Sequence, residues 1–404
     1  MSVPMEKPAF GVLDGVKVVY AAVEAAVPRA CDLMADWGAE VVWLENTHNG
    51  DSIRVTDWIK EVERRNQRSV SLNYFNETGK EILKNILADA DIFIEGSKGG
   101  TWTRHGITDD FLWEANPQLV IVHLSGYGLF GKPDIVSRAG YDMSALAYSG
   151  YLSQIGLPDE PMIPACYTAD YMNSLMAVGS SLAALLKAKR TGTGESIDLA
   201  MYETPLTMGQ YYMADYLNAG ISYPRPGSKS PNLCATGVYR CADGDIGLCV
   251  YGVPQNKYCV EAIGKGHLWG TDIMPDDTIA LLLEAPYAQE IESALEEYCS
   301  TRSRFDIEKD FCSHGIVAQA VFEYADFEND EHMRLREDFV EWKREDGGVV
   351  KGVNIIPKFS QTPGKIWRPM PSLGADTRLV LEKAGYSPEQ IDAFAADGIV
   401  RTLD

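Results

Sequence analysis

The sequence is poor in basic residues. Lysine and arginine together number 36, against 58 aspartate and glutamate residues, which gives a formal net charge of -22. A chain this acidic repels nucleic acid and anionic membrane surfaces over most of its own surface, so we expect neither as a partner. An anionic ligand would need a local group of cations.

Patterns typical of metal and redox sites are also missing. The eight cysteines include no C-x-x-C pair and no histidine partner at zinc spacing, and the six histidines include no pair at ligand spacing. We therefore predict no metal site, and free thiols in a reducing cytoplasm are the simplest interpretation of the cysteines. No Ser-His-Asp order stands out, so serine-triad chemistry has no support.

Long apolar segments are absent too. The most apolar stretch, 175–186, is interrupted by Gly179 and two serines and is well short of a membrane span. Residues 1–10 include Glu6 and Lys7 and have no apolar core, so we expect no secretory signal. The expectation is a cytoplasmic protein with no membrane partner.

The first half of the chain does contain alternating strand and helix patterns. The strand patterns lie at 16–22, 39–45, 91–95 and 119–125, and the helical patterns at 29–37 and 77–87. Asn76 is a predicted N-cap of the second helix. This order predicts a Rossmann-like parallel α/β sheet of the doubly wound kind. Further helices are predicted at 171–189, 202–217, 286–300, 304–313, 376–384 and 388–396, and further strands at 236–240 and 246–251.

Two stretches rich in proline and glycine, 218–231 and 357–371, interrupt these patterns. We therefore predict a large α/β domain over 1–222, with 335–404 returning to it, and a smaller α+β domain over 223–334. With 46% hydrophobic residues among 404, the chain can bury large cores.

A glycine-rich segment, Gly126–Gly131, matches the G-x-G-x-x-G dinucleotide fingerprint and follows a predicted strand. The phosphate-binding helix that should come next is not predicted, because Pro133 falls in its first turn and no apolar period follows. A nicotinamide or flavin oxidoreductase would need that helix. The loop still lies where open α/β sheets bind ligands.

Basic residues cluster in two places. The first group consists of Arg54, Lys60, Arg64, Arg65 and Arg68. It could hold phosphates, or it could be a solvated face balanced by neighbouring acids. The second group is Lys98, Arg104 and His105, and Lys98 directly follows the predicted strand at 91–95. That position places Lys98 in the crevice where α/β folds bind ligands.

Asp170 comes just before the run of small and apolar residues at 171–189. It therefore faces a predicted helix N-terminus, where a carboxylate can be an N-cap or a nucleophile. The local sequence leaves both roles open.

Several longer segments are distinctive when taken together. They are Trp37–Asn46 (WGAEVVWLEN), Asp91–Glu95 with Ser97–Gly99, His123–Gly128 (HLSGYG), Tyr167–Tyr171 (YTADY), Thr191–Asp198 (TGTGESID), Ala200–Glu203 (AMYE) and Ile356–Phe359 (IPKF). In these segments, which extend along the whole chain, the sequence resembles the family III CoA-transferases, most closely those that act on L-carnitine.

The resemblance implies a function and a set of site residues. Asp170 would be the catalytic nucleophile, kept ionised by the helix N-terminus, and would form a covalent aspartyl-CoA thioester. Lys98, Arg104 and His105 would contact CoA. The reaction would move CoA from crotonobetainyl-CoA or γ-butyrobetainyl-CoA to an acid such as L-carnitine. The substrates would be CoA esters, with no tightly bound cofactor, and the protein would be an interlaced homodimer.

The sequence also departs from relatives in this family. Many relatives have arginine and lysine at the positions of Asn46 and Phe75, so the contacts to the CoA phosphates are expected to differ. The α-methylacyl-CoA racemases of the family carry a Gly-His-Asp motif, where this chain has Gly140-Tyr141-Asp142. Tyrosine, with an ordinary pKa of about 10, is a poor base near neutral pH, which favours a transferase.

Four alternatives to the carnitine assignment stay open. They are an α-methylacyl-CoA racemase, a CoA-transferase for a different small acid, a nucleotide-dependent oxidoreductase, and a ligand-binding protein without chemistry. If the acceptor is a betaine, its trimethylammonium group donates no hydrogen bonds and is best held by aromatic faces. Tyr127, Tyr141 and Trp367 are the candidate walls, although each could equally be an ordinary packing residue.

Overall fold

The computed structural model of the chain describes residues 6–403. Its contacts divide the chain into two compact units. The first runs to Ser149 and adds Ala165–Met208 and the residues from His332 onward, and the second comprises Gly150–Pro164 and Gly209–Glu331. Both units are therefore assembled from segments that are distant in the sequence.

Strands alternate with helices through the first half of the chain. The strands are β1 (Lys17–Ala21), β2 (Glu40–Glu45), β3 (Gln67–Leu72), β4 (Ile92–Glu95), β5 (Val120–Ser125), β6 (Gly156–Leu157), β7 (Glu160–Pro161), β8 (Glu195–Ala200), β9 (Thr236–Cys241), β10 (Gly244–Cys249), β11 (Val317–Ala320), β12 (Phe339–Lys343), β13 (Val349–Val353) and β14 (Val400–Arg401). Short 3₁₀ helices lie at Ser52–Val55, Tyr151–Ser153 and Gly266–Leu268.

The α-helices vary widely in length. They are α1 (Ala26–Asp36), α2 (Ile59–Glu63), α3 (Glu77–Leu87), α4 (Thr101–Arg104), α5 (Asp109–Ala115), α6 (Pro133–Val136), α7 (Asp142–Tyr148), α8 (Thr168–Thr191), α9 (Glu203–Met208), α10 (Gln210–Ala219), α11 (Val253–Ala262), α12 (Ala288–Ser300), α13 (Arg304–Ser313), α14 (Tyr324–Phe327), α15 (Glu331–Leu335), α16 (Thr377–Lys383) and α17 (Pro388–Ala396). In the part of the chain from Glu6 to Leu403, no helix is long and apolar enough to cross a lipid bilayer.

One seven-stranded sheet organises the first unit, in the order β14-β3-β2-β1-β4-β5-β8. The strands from β3 to β8 run parallel, and β14 joins the edge antiparallel to β3. The order reverses between β1 and β4, because the chain continues from β1 towards β3 and from β4 towards β8. Such a switch point opens a crevice at the carboxyl ends of both strands. The Rossmann-like α/β fold predicted from the sequence is confirmed.

Helices cover this sheet because their apolar faces need burial. On one face α3 buries Ile82, Leu83 and Ile86 against sheet residues such as Val42 and Phe93. Asn76 caps α3 by accepting a hydrogen bond from the Thr78 amide, as predicted. Burial of a large apolar side chain stabilises a fold by roughly 1.5–3 kcal/mol, so this packing holds β1 and β4 firmly in place.

The second unit has its own core. The antiparallel sheet β11-β10-β9 packs with α12 and α13, burying residues such as Tyr239, Ile246, Leu295 and Phe311. A carboxylate also links parts of this unit, because Glu292 accepts hydrogen bonds from the Tyr239 hydroxyl and the Ala235 amide. The small antiparallel sheets complete the α/β architecture expected from the sequence.

Two predicted elements differ from those observed. The helix predicted at 202–217 is two helices, α9 and α10, separated at Gly209. The helix predicted at 171–189 begins earlier, at Thr168, so Asp170 lies in its first turn instead of before it. The prediction of Asp170 as a possible N-cap is therefore wrong. Tyr167 takes the cap position, in a left-handed conformation with φ of 61°.

Candidate active site

A cavity of about 160 Å³ opens at the switch point between β1 and β4. We call it the Asp170 cavity. Its walls come from the β1–α1 turn, from the loops after β4 and β5, and from the first turn of α8. The lining residues are Ala22, Val23, Glu24, Ala25, Ala26, Val27, Gly96, Ser97, Lys98, Leu124, Gly126, Ala139, Gly140, Tyr141, Asp170 and Met201.

Asp170 is buried in this cavity, and the turn that carries it is anchored from several sides. Asp142 Oδ1 accepts hydrogen bonds from the amides of Ala169 and Asp170, at 2.6 and 3.3 Å. The hydroxyl of Ser174, one turn later, donates to the Ala26 carbonyl at 2.6 Å and so joins α8 to α1. The Asn173 amide reaches the Met201 carbonyl at 2.8 Å. The backbone that carries Asp170 therefore has a fixed position.

The electrostatic environment of Asp170 is unusual because its closest charged neighbours are also acidic. Burial, reinforced by the negative charges of Asp142, Glu63 and Glu24, raises the pKa of Asp170 to about 7. The expectation that the helix N-terminus keeps this carboxylate ionised needs correction, because desolvation and the neighbouring carboxylates outweigh the helix. Near neutral pH, Asp170 is divided between its protonated and ionised forms.

The amino end of α1 contributes hydrogen-bond donors to the same cavity. Ala26 and Val27 line the wall, and their amides find no acceptor among residues 6–403, as expected for the first turn of a helix. Backbone N–H groups at a helix N-terminus favour negative charge. The cavity therefore combines a buried carboxylate with backbone donors of the kind that can stabilise an oxyanion.

The residues predicted to bind CoA lie on the loop and short helix that follow β4. Lys98 is exposed, lines the Asp170 cavity and forms no ion pair with any residue the structure describes. Arg104 turns back over the loop and donates to the Gly99 carbonyl at 3.4 Å and to Thr101 Oγ1 at 3.1 Å. His105 stacks on Phe75, with ring centroids 4.1 Å apart. Lys98 and Arg104 are thus cations without carboxylate partners.

Four of the five residues in the first basic group have a different arrangement from either alternative considered, and the fifth, Lys60, donates to the Arg54 carbonyl at 3.0 Å. Arg54, Arg64, Arg65 and Arg68, which we call the arginine cluster, are largely or fully shielded from solvent and bound to carboxylates. Their partners are Glu45, Asp51, Asp36, and Glu40 with Asp376. The cluster is neither a solvated face nor a site with free cations. It holds β3 and the loops beside it in place.

The three aromatic candidates are separated in the structure. Tyr141 lines the Asp170 cavity. Tyr127 lies in a group with Tyr148 and Tyr202, with centroid distances of 5.3 and 6.4 Å from its own ring. Trp367 does not line the cavity. Its ring lies instead beside the guanidinium groups of Arg68 and Arg368, at 5.5 and 5.3 Å.

His123 lies outside the Asp170 cavity, in a second cavity of about 400 Å³. Its ring nitrogens are 2.9 Å from Glu95 Oε1 and 2.9 Å from Asp109 Oδ1. Burial alone would lower the pKa of His123, but the bonds to Asp109 and Glu95 outweigh it and raise the pKa to about 9. We therefore interpret His123 as an imidazolium that joins β5 to β4 and α5.

The glycine-rich fingerprint has a structural explanation. A Cβ atom on Gly126 would lie 2.6 Å from the Gly140 Cα, so the two loops approach too closely for any side chain. The helix after Gly131 is α6, which contains only one turn, Pro133–Val136. This gives no support to a dinucleotide site at this loop. The glycines instead bring Tyr141 and Asp142 close to Asp170.

Sequence reasoning missed Glu24 and Asp142 as members of the site. Glu24 follows β1, the first strand of the sheet, and a turn at the carboxyl end of that strand was a signal for a ligand-facing residue. Asp142 was noticed only as part of Gly140-Tyr141-Asp142. Its bonds to Ala169 and Asp170 join two helices and cannot be read from the local sequence.

Comparison with known proteins agrees with this geometry. The sequence model of CoA-transferase family III matches residues 13–377. A CAIB/BAIF family protein from Brucella suis is 24% identical, with a TM-score of 0.78 over 93% of this chain and 100% of that chain. Rv3272 from Mycobacterium tuberculosis is 21% identical, with a TM-score of 0.78 over 92% of this chain and 100% of that chain. At these identities the two structures show the fold.

Proposed function

Because the chain belongs to CoA-transferase family III, an enzyme family that acts on CoA esters, we propose that it transfers CoA between carboxylic acids with Asp170 as the nucleophile. The observation that carries the proposal is the position of Asp170. It is a buried carboxylate in a cavity at the switch point, and the first residues of α1 line the same cavity. In the part of the chain that the structure describes, no cysteine or serine with an adjacent histidine lines this cavity.

The proposed reaction has two half-reactions. An ionised Asp170 oxygen attacks the thioester carbonyl carbon of the acyl-CoA, the C–S bond breaks and CoA leaves as the thiolate. The thiolate then attacks the Asp170 carbonyl carbon of the mixed anhydride, which releases the first acid as a carboxylate and leaves an aspartyl-CoA thioester. The acceptor acid repeats these steps in reverse, and Asp170 is regenerated.

The N–H groups of Ala26 and Val27 would stabilise the tetrahedral oxyanions in these steps. The phosphates of CoA would be held by Lys98 and Arg104, with His105 beside them. The support for this placement is that Lys98 and Arg104 have no carboxylate partner, whereas the arginines of the arginine cluster do. A polyanion needs such cations in a protein of net charge -22.

For the substrates, we propose a betaine series, with crotonobetainyl-CoA or γ-butyrobetainyl-CoA as donor and L-carnitine as acceptor. The resemblance of the sequence supports this choice, and so does the acidic environment of the Asp170 cavity, which suits a positively charged acyl group. Tyr141 lines the cavity and can supply an aromatic face.

We also propose an interlaced homodimer, as the family resemblance implies. Large apolar side chains on α8 remain exposed in the single chain, including Leu175, Met176 and Leu186. Exposed apolar surface of this kind is typical of an interface. Light scattering at micromolar concentration tests this, and a monomer under mild conditions would exclude the interlaced form.

Mass spectrometry tests the central proposal. Incubation with an acyl-CoA should give a CoA-sized adduct that maps to the peptide containing Asp170, and borohydride should reduce it with permanent loss of activity. An enzyme that instead exchanges the α-hydrogen of the acyl group for deuterium, with no adduct on Asp170, would be a racemase. Binding of the acyl-CoA with neither result would indicate a binding protein.

A further inference from the structure

Glu24 lies in the turn between β1 and α1, and its backbone is held in an uncommon conformation. Its φ is 65°, in the left-handed region. Its amide donates to Asp51 Oδ1 at 3.0 Å, and its carbonyl accepts from the Arg64 guanidinium. A residue other than glycine stays in this region only where its surroundings hold it there. The arginine cluster thus holds the backbone of Glu24 in place in the wall of the Asp170 cavity.

The charge of Glu24 is not neutralised by the protein. One carboxylate oxygen accepts a hydrogen bond from the Ser52 hydroxyl. Among residues 6–403, no lysine, arginine or histidine forms an ion pair with Glu24, and Lys98, the cation in the same cavity wall, does not reach it. Glu24 is close enough to Asp170 to act on it electrostatically. The cavity therefore contains one carboxylate besides Asp170 and no cation bound to either.

Much of the cavity wall has apolar side chains. It is formed by residues such as Ala22, Val23, Ala25, Val27 and Leu124. An ammonium group with N–H bonds gives up its hydrogen bonds to water when it enters the cavity, and it would need several acceptors there to replace them. A quaternary ammonium needs none, because its methyl groups pack against apolar atoms while its charge is attracted by a carboxylate.

We propose that Glu24 selects substrates that carry a quaternary ammonium group, by holding that charge in the Asp170 cavity while the substrate carboxyl group reacts. This inference rests on the proposed transfer through Asp170. It assigns to Glu24 the charge recognition for which the sequence pointed only to aromatic walls. Asp170 cannot supply this recognition itself, because its carboxylate is bonded to CoA when the acceptor reacts.

The test uses two acceptors of equal shape and different charge. γ-Butyrobetaine carries a trimethylammonium group, and 5,5-dimethylhexanoate carries a tert-butyl group in the same place. The quantity measured is the ratio of kcat/KM for the two acceptors, with one acyl-CoA donor throughout. In a two-step exchange this constant reports only the acceptor half-reaction, and the ratio cancels any effect of a variant that is common to both acids.

Wild-type protein should prefer γ-butyrobetaine, and Glu24→Gln should lower that preference at least about tenfold, which corresponds to about 1.4 kcal/mol. The loss of preference should appear as a higher KM for γ-butyrobetaine, with little change in KM for 5,5-dimethylhexanoate. Glu24→Asp keeps the charge and should keep most of the preference. Glu81→Gln, which removes an exposed carboxylate of α3 outside the cavity, is the matched control and should match wild type.

Two results would overturn the inference. They are an unchanged ratio in Glu24→Gln, which includes an equal loss for both acids, and no preference in the wild type. In each case an Asp170 adduct detected by mass spectrometry would leave the transferase proposal intact. If no adduct forms in wild-type protein, the proposed function fails, and the inference about Glu24 fails with it.

Discussion

The arginine cluster and the Asp170 cavity use buried charge in opposite ways. In the arginine cluster each guanidinium meets a carboxylate, as in the contact of Arg65 with Asp36 at 2.6 Å. In the Asp170 cavity, Glu24 and Asp170 both line the wall, and neither forms an ion pair with a basic residue in the described range 6–403. The two regions are in contact, because Arg64 of the cluster holds the backbone carbonyl of Glu24 in the cavity wall.

The difference shows what pairing does to a buried charge. A charge that is paired and fully hydrogen-bonded keeps its ionised form and serves the structure. A buried carboxylate without a cation has a raised pKa and a reactive oxygen, which is how functional groups differ from structural ones. In the sequence, the arginine cluster and the group of Lys98, Arg104 and His105 both appear as groups of basic residues. Only their partners in the structure distinguish the scaffold from the candidate ligand site.

The sharpest test of this comparison is Asp170→Asn. We expect transfer to fall by at least about a thousandfold, because the amide keeps the shape of the side chain and removes the nucleophile. The stability of the fold should not decrease at pH 8. The raised pKa of Asp170 contributes stability that is complete below the unfolded value of 3.8 and is lost as the pH rises through about 7. At pH 8 the variant should therefore unfold at the same temperature as wild type or higher.

Turnover assays and thermal unfolding at pH 4 and pH 8 measure both effects of Asp170→Asn. Near-full turnover would show that Asp170 is not the nucleophile. A large loss of stability at pH 8 would place Asp170 among the structural charges.

Arg65→Met makes the opposite change, in the paired region. It leaves Asp36 as a buried carboxylate without its cation, and we expect the free energy of unfolding to fall by about 3–5 kcal/mol. Urea denaturation measures this loss. Lys84→Met, which breaks the more exposed pair of Lys84 with Glu114, is the control and should change stability by less than about 1 kcal/mol. Equal losses in the two variants would contradict the structural role of the arginine cluster.

Asp142→Asn tests how far the unpaired carboxylates act on one another. Asparagine keeps an oxygen for the Ala169 and Asp170 amides and removes a negative charge, so the pKa of Asp170 should fall. Because the ionised form of Asp170 is the proposed nucleophile, kcat/KM in the wild type should rise with pH through about 7. The midpoint should move to lower pH by up to about one unit, or about 1.4 kcal/mol. An unmoved midpoint with normal folding would rule out this coupling.

The smallest effect is expected where charge is exposed. Lys98→Ala and Arg104→Ala should each raise KM for the CoA donor by about threefold to tenfold, since surface ion pairs are weak and screened by salt. The rise of KM with salt concentration should be shallower in both variants. Lys351→Ala, an exposed lysine of β13 outside the cavity, should leave KM unchanged. Unchanged KM in both Lys98→Ala and Arg104→Ala would remove these residues from the CoA site.

The parallel sheet could be predicted because its buried strands are nearly continuous apolar runs. β1, β4 and β5 read in this way, and helices with a 3.6-residue period separate them. β3 could not be predicted, since Gln67, Arg68, Ser69 and Ser71 resemble a surface segment. They are buried because distant carboxylates satisfy them, as when Asp376 accepts from Arg68 and from the Ser69 amide.

The site was predictable only in part for the same reason. Lys98 could be placed near a ligand because it follows a strand, and Tyr141 because it stands where related racemases carry the histidine of a Gly-His-Asp motif. Both line the Asp170 cavity. Trp367 could not be placed, because its environment is formed by Asn66 and Arg68 of a distant segment. The raised pKa of Asp170 depends on its burial and on the charges of Asp142, Glu63 and Glu24, which come from three other parts of the chain.

The edge pairing of β14 with β3 has a consequence for biosynthesis. Val400 lies opposite Leu72 in the sheet, so β3 leaves the ribosome long before the strand that completes its outer edge. During that interval the N–H and C=O groups of β3 are open to pairing with other chains. The second segment of the smaller unit, Gly209–Glu331, is synthesised within the same interval. A nascent chain of this protein therefore has to keep an unfinished sheet edge protected until β14 arrives.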